Sequence, residues 1–227
     1  MEDFKLGAIT INCYPFPYIK SKTCLAVSNL NDYGIVAACE GDIHSSIVMY
    51  AFCLITDNAS LNSDIIIEDK KENYIVFSHC GAGPFSCAES YSDIDLEEHY
   101  EVKSGMAVYY PVKVGGKEAT IINLVGMEST YRMAILTGKT LPTEKLIYHS
   151  NPLKIKFKTK VEDLIEAIGN EGFNHHWMVS YGDYPGMFFE KPKYTTGVEH
   201  LLINGKLSIE KGKNNNIKTG AIIKNIY

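Results

Sequence analysis

Between residues 34 and 46 the chain reads GIVAACEGDIHSS, an apolar run that stops at Glu40 and passes through Gly41 into a segment with helical spacing. Nothing else in the sequence constrains the fold so tightly. An apolar run without polar alternation belongs to a strand buried on both faces, and such strands lie in layers covered by helices. Ile43, Ile47, Val48, Ala51, Leu54 and Ile55 recur at helical spacing, and Asp42 with Ser45 makes a helix start signal. The stretch predicts strand, turn, helix. Where open α/β sheets feed strands into helices, the strand ends carry ligand groups. Glu40 therefore has two readings: a carboxylate held at the lip of a pocket, or a helix-start charge favoured by the macrodipole. Asp42 fits the second reading better.

The flanking chain supports an α/β layer that gives way to β structure. KLGAITINC at 5–13 reads as a second short buried strand, and the segment after it, with two prolines, as a loop leading into a helix. SDIIIEDKKENYIVFSHC at 63–80 has two β-rich runs around a polar turn, a hairpin whose open end holds Asp64 and His79. From residue 99 to 148, HYEVKSGMAVYYPVKV and the runs after it are strand-like and broken by glycine turns, the texture of an antiparallel barrel or sandwich. VEDLIEAIG at 161–169 predicts a short helix and HHWMVSYG a strand after it. Near the end, VEHLLINGKLSIEKGK carries an Asn-Gly hairpin signal.

Composition removes several function classes. The 227 residues are 45% hydrophobic, enough for a real core, and the net charge of −5 comes without a basic stripe, which argues against nucleic-acid or anionic-membrane partners. The longest apolar runs, such as IVMYAFCLI at 47–55, are about half of a bilayer span. The N-terminus MEDFKLGAIT lacks the basic and apolar regions of a secretory signal, so a cytoplasmic location is expected. The six cysteines contain no C-x-x-C spacing, and reduced thiols are expected.

Asp64, His79 and the pair His175 and His176 share with Glu40 one property: each is a polar ligand type at the mouth of an apolar element. Carboxylates with imidazole hold ions such as Mn²⁺, and two carboxylates plus a histidine leave room for substrate oxygens. Taken singly, each histidine also reads as an ordinary core or surface residue, and spacing alone does not make them converge.

CEGD at 39–42, SDIIIED at 63–69, HCGAGP at 79–84 and NHHWMVSYGD at 174–183, in that order, resemble the L-fucose isomerase and L-arabinose isomerase superfamily. The similarity runs from about residue 5 to residue 185 and includes YRMAILTGKT at 131–140. The resemblance implies a divalent metal, usually Mn²⁺, held by Glu40, Asp64 and one histidine of the pair. Alignment on Asn174 favours His175, whereas counting back from Tyr181 and Gly182 favours His176. His79 matches a ligand position of the arabinose branch. It also implies aldose–ketose isomerisation of a monosaccharide through an enediol, with Glu40 and Asp64 as the catalytic carboxylates. The implied architecture is a partial α/β layer over residues 1–70, a mostly antiparallel β-barrel over 71–190 and a β-hairpin tail over 191–227. The tail resembles the carboxyl-terminal strands of D-aminoacylase-type amidohydrolases, without their metal motifs. Family enzymes are roughly twice this length, so the resemblance implies either the carboxyl-terminal half of such an enzyme, working as a homo-oligomer or with a separate N-terminal chain, or a non-catalytic sugar-binding or scaffold protein.

Overall fold

The computed structural model describes residues 6–13, 22–127, 130–144, 146 and 150–189, and the backbone of four short strands beyond residue 200. Its first layer is the expected strand–helix unit. Strand β1 (Ala8–Ile11) and strand β2 (Val36–Cys39) pair in parallel with Ile11 opposite Cys39, and helix α1 (Cys24–Asp32) lies between them in the chain. All four residues of β2 are buried, as an unalternating apolar run requires. The Asn31 amide at the end of α1 completes the layer, because Nδ2 donates to the carbonyl of Ala37 at 2.8 Å while Oδ1 accepts its N–H at 3.0 Å. A side chain thereby does for β2 what a neighbouring strand would do.

Helix α2 (Ile43–Thr56) follows β2 through Glu40 and Gly41. Asp42 is its N-cap and accepts the N–H groups of His44 and Ser45, as the start signal predicts. The helix ends at Asp57 in the left-handed region. Strand β3 (Leu61–Asp69) and strand β4 (Tyr74–Ser78) form the expected hairpin. A ribbon of β5 (Asp95–Glu98) and β6 (Met106–Tyr109) comes next, then β7 (Glu118–Met127), β8 (Thr130–Leu141), β9 (Leu153–Phe157), α3 (Val161–Glu171), β10 (His176–Tyr181) and α4 (Pro185–Phe189).

The protein is thus mixed α/β with one large antiparallel sheet of six strands in the order β8-β7-β10-β3-β4-β9. Strand β9 also pairs with β8, Gly138 opposite Phe157 and Leu141 opposite Lys154, so the order returns to its start. Side chains alternate across this sheet. One face carries Leu61, Ile75, Phe77, Ile121, Trp177 and Val179 into the main core. On the other face Ile122, Ile135 and Met178 pack under Val48, Met49 and Phe52 of α2 and Val36 and Ala38 of β2. That second interface joins the two layers, and the site lies at its end.

In the tail, β11 (His200–Ile203) and β12 (Lys206–Glu210) pair antiparallel with Ile203 opposite Lys206, and β13 (Lys213–Asn214) adds to β12. The two-residue β14 (Ala221–Ile222) lies parallel to β8. The Asn204-Gly205 turn expected for this hairpin, and residues 190–199 before it, lie outside the described residues. No helix among the described residues is long and apolar enough to cross a membrane. All six cysteines are free thiols.

Candidate functional site

Register brings the predicted residues together. In the pairing of β10 with β3, His176 lies directly opposite Asp64, and in the pairing of β3 with β4, Asp64 lies opposite Ser78. Directly paired residues project on the same face of a sheet, so His176 and Asp64 stand side by side and His79 follows one residue beyond β4. This face is the one toward α2, since Met178 and Asn62, two positions on, pair in the same register.

Glu40 enters from the other layer. It sits just past β2 with φ at 62°, followed by Gly41 with φ at 72°. Two successive left-handed residues turn the chain sharply between strand and helix and set the Glu40 carboxylate against the two imidazoles. His79 Nε2 lies 3.8 Å from Glu40 Oε1 and 3.9 Å from Asp64 Oδ2. His176 Nε2 lies 3.5 Å from Glu40 Oε2 and 3.9 Å from Asp64 Oδ1. Each imidazole therefore faces both carboxylates.

Of the histidine pair, His176 is buried and faces Asp64, whereas His175 is exposed, with its ring 4.2 Å from that of His176. A ring nitrogen of His175 still comes within 4.8 Å of Glu40 and His176. Both site histidines are held from behind. His176 Nδ1 lies 2.7 Å from Asp42 Oδ2, and His79 Nδ1 lies 3.3 Å from Cys80 Sγ. In front, two buried atoms have no hydrogen-bond partner: His176 Nε2 and Asp64 Oδ1. An orphaned buried acceptor beside an orphaned imidazole nitrogen is costly unless something occupies the gap.

The electrostatics follow from this packing. The His176 imidazole, with Nε2 3.5 Å from Oε2, holds the Glu40 carboxyl at about 2, against the opposing effect of burial, and His79 adds to the lowering. Burial pulls the two histidines toward neutrality but is overcome, and both are raised to about 9: His176 by Asp42, Glu40 and Asp64, His79 by Cys80, Asp64 and Glu40. Because the hydrogen bond with Cys24, and then burial, keep the Cys80 proton in place to about 11, at neutral pH the charge on His79 rests on the carboxylates. Burial also works against ionised Asp42, yet bonds from His176 and Ser45 hold its carboxyl well below the usual range.

A cavity of about 240 Å³ opens onto the group and is lined by Glu40, Asp64, His79, Lys22, Tyr100 and Glu101, with Cys13 and Cys80 behind. A larger one of about 720 Å³, walled by Ile67, Tyr74, Val112, Lys113, Pro142 and Lys154, lacks converging carboxylates and imidazoles, so size does not select it. Sequence reasoning missed Lys22, Tyr100 and Glu101, whose loops carry no motif, and the contact of Asp42 with His176. The only signal for that contact was the spacing of two between Glu40 and Asp42 across a glycine.

The four groups offer two carboxylates and two imidazoles to one small space, a donor set suited to a divalent ion of intermediate hardness. Ligand atoms about 2.1 Å from an ion lie about 3.0–3.4 Å from adjacent ligands. The histidine–carboxylate separations are 3.5–3.9 Å, Asp64, His79 and His176 offer ligand atoms within 4.8 Å of one another, and Glu40 must draw closer to join them.

Comparison with known proteins gives a consistent direction. No family model matches the chain. Over 186 residues, 81% of this chain and 41% of the relative, it is 29% identical to sulfoquinovose isomerase of Priestia aryabhattai, and equally so to that of Priestia megaterium. Over 181 residues it is 27% identical to sulfoquinovose isomerase of Alkalicoccus urumqiensis, covering 78% of this chain and 40% of the relative. The chain spans about two fifths of the length of the curated relatives it matches.

Proposed function

We propose that this chain carries the metal-binding half of a sugar isomerase site, interconverting an aldose and a ketose by moving a proton between C1 and C2. The observation that carries the reading is the convergence of Glu40, Asp64, His79 and His176, drawn from four separate segments, around unpartnered buried atoms of two of them. The similarity to proteins named sulfoquinovose isomerase supports the same reaction class and adds one substrate to test. The return of β9 onto β8 supports reading the six-stranded sheet as the barrel of the superfamily.

In this reading Glu40, Asp64, His79 and His176 hold the divalent ion, Mn²⁺ or a close equivalent, and exposed His175 stays outside the ligand set. Bound there, the ion supplies Lewis acidity toward a carbonyl and its neighbouring hydroxyl. The chain's own groups do the rest. The two carboxylates flank the imidazoles, one placed to accept the proton from carbon and the other to hold a hydroxyl proton on the enediol. Lys22, Tyr100 and Glu101 on the cavity wall supply donors and acceptors for further sugar hydroxyls.

The test is deuterium uptake at C2 of sulfoquinovose, L-fucose and L-arabinose by the full chain, with and without Mn²⁺. Mn²⁺-dependent uptake with any of the three upholds the reading. Mn²⁺ binding without uptake points instead to a non-catalytic sugar-binding or scaffold protein, and failure to bind Mn²⁺ removes the site.

A further inference from the structure

We infer that Asp42 is a positioning residue for this site as well as the start of α2, an inference that rests on the metal-binding reading above. Its two oxygens divide between two tasks. Oδ1 accepts the backbone N–H groups of His44 at 2.8 Å and Ser45 at 3.1 Å, the ordinary work of an N-cap. Oδ2 accepts the Ser45 hydroxyl at 2.7 Å and faces His176 Nδ1 at 2.7 Å. The helix start thus clamps the carboxylate from one side, and the carboxylate clamps the imidazole of a residue 134 positions away.

A cap alone does not require this. Serine, threonine or asparagine would satisfy the same two backbone groups, and none of them offers a charged oxygen to His176. The consequence for His176 is specific. Neutral imidazole has one donor nitrogen and one acceptor nitrogen. When an ion displaces one ring hydrogen, an ionised carboxylate at Nδ1 keeps the other there, so the lone pair that is freed lies on Nε2, facing Glu40 and Asp64. Without Asp42 the hydrogen is free to move to Nε2, donate to Glu40 at 3.5 Å and close the gap that an ion would fill. Carboxylates behind ligand histidines act in this way, and their loss weakens metal affinity about 10- to 100-fold.

The test uses the full 227-residue chain. Asp42→Asn and Asp42→Ser both retain a capping oxygen and both remove the carboxylate from His176; Asp42→Ala removes cap and carboxylate together. Mn²⁺ affinity is read from the electron paramagnetic resonance signal of the free ion, the fold from circular dichroism and cooperative melting, and His176 from the downfield resonance of its Nδ1 hydrogen. The expected result is a native fold in the Asn and Ser variants with Mn²⁺ affinity lowered about 10- to 100-fold and the Nδ1 resonance lost. The Ala variant should match them in affinity but melt lower. Wild-type affinity in the Asn and Ser variants overturns the inference. If the wild-type chain binds no Mn²⁺, the metal reading fails on its own, and the resonance decides the rest: lost in a folded Asp42→Asn chain, Asp42 sets His176; unchanged, it does not.

Discussion

Glu40 occupies the left-handed region at φ 62°, a conformation that costs a residue with a side chain about 1–2 kcal/mol. Strain of this kind persists where the surroundings over-determine it, and here the ion pairs with His79 and His176 do so. Two carboxylates at one site would repel when no metal is present, but two imidazoles face both Glu40 and Asp64 and hold Glu40 at about 2. Replacing Glu40 with Gln should therefore abolish Mn²⁺ stabilisation and also lower the metal-free melting point. In the wild type, Mn²⁺ at a hundredfold excess over Kd should raise Tm by about 5–10 °C. Glu40→Gly loses the same ion pairs but relieves the backbone, so metal-free Glu40→Gly should melt above metal-free Glu40→Gln. The reverse order would mean that the φ value carries no strain. The pH dependence has a definite sign. His79 and His176, raised to about 9, contribute stability that is fully present below the unfolded value of about 6.5 and lost as pH rises through 9. Glu40, lowered to about 2, contributes stability present above its unfolded value and lost as pH falls toward 2. Because an ion must displace the imidazole protons, Mn²⁺ affinity should climb between pH 6 and 9. Melting curves across that range, with and without Mn²⁺, should therefore diverge as pH increases.

Among the elements, β2 and β10 place the chemistry, and they differ in how far the sequence discloses them. The strand ending at Glu40 was legible because an unalternating apolar run, a glycine and a capping aspartate are local signals. The hairpin ending at Asp64 and His79 was legible for the same reason. The choice between His175 and His176 was not, because it depends on parity: only the register that sets His176 opposite Asp64 decides which of two adjacent side chains faces α2. Pairing across more than a hundred residues leaves no mark in either strand. The same distance hid Asp42, readable as a cap but not as the partner of His176. Asn31 is a further case. It lies in a short helix where an asparagine carries no message, yet its amide closes the Ala37 groups, buried with β2. Asn31→Ala should leave a buried N–H and carbonyl unsatisfied, at a cost of about 2–4 kcal/mol. Tm should fall by about 5–15 °C, and Mn²⁺ affinity should fall with it, because the strand end that carries Glu40 loses its support. Unchanged Tm in Asn31→Ala would show that water replaces the amide without penalty.

Across the whole molecule the two layers are unequally finished. The six-stranded sheet has a core of its own around Trp177, whereas the β1–β2 layer has two strands and a helix that faces outward as well as inward. Met49 and Phe52 of α2 pack on the large sheet, but Ile43, Ile47, Tyr50 and Leu54, at i, i+4, i+7 and i+11, form an apolar stripe on its other side, with Ile43 64% and Leu54 69% exposed. Single exposed apolar side chains are ordinary, but four in a helical row on a helix already buried on its opposite face mark a contact surface. The expectation is that this stripe is covered by a second copy of the chain or by a separate chain. Sedimentation at about 10–50 μM, a concentration matched to a Kd of roughly micromolar order, should show association for the chain alone if the partner is another copy. Ile47→Glu and Leu54→Lys, both at exposed positions, should then shift it to monomer while leaving the circular dichroism spectrum and Mn²⁺ binding intact. A wild-type chain that sediments as a clean monomer rules out the second copy at this strength. The stripe begins at Ile43, three residues after Glu40, so whatever covers it also approaches the cavity. Deuterium uptake from substrate by the wild type but not by a folded, Mn²⁺-binding Ile47→Glu chain would therefore show that the covering chain completes the site. Equal uptake by both would place the whole of catalysis within one chain.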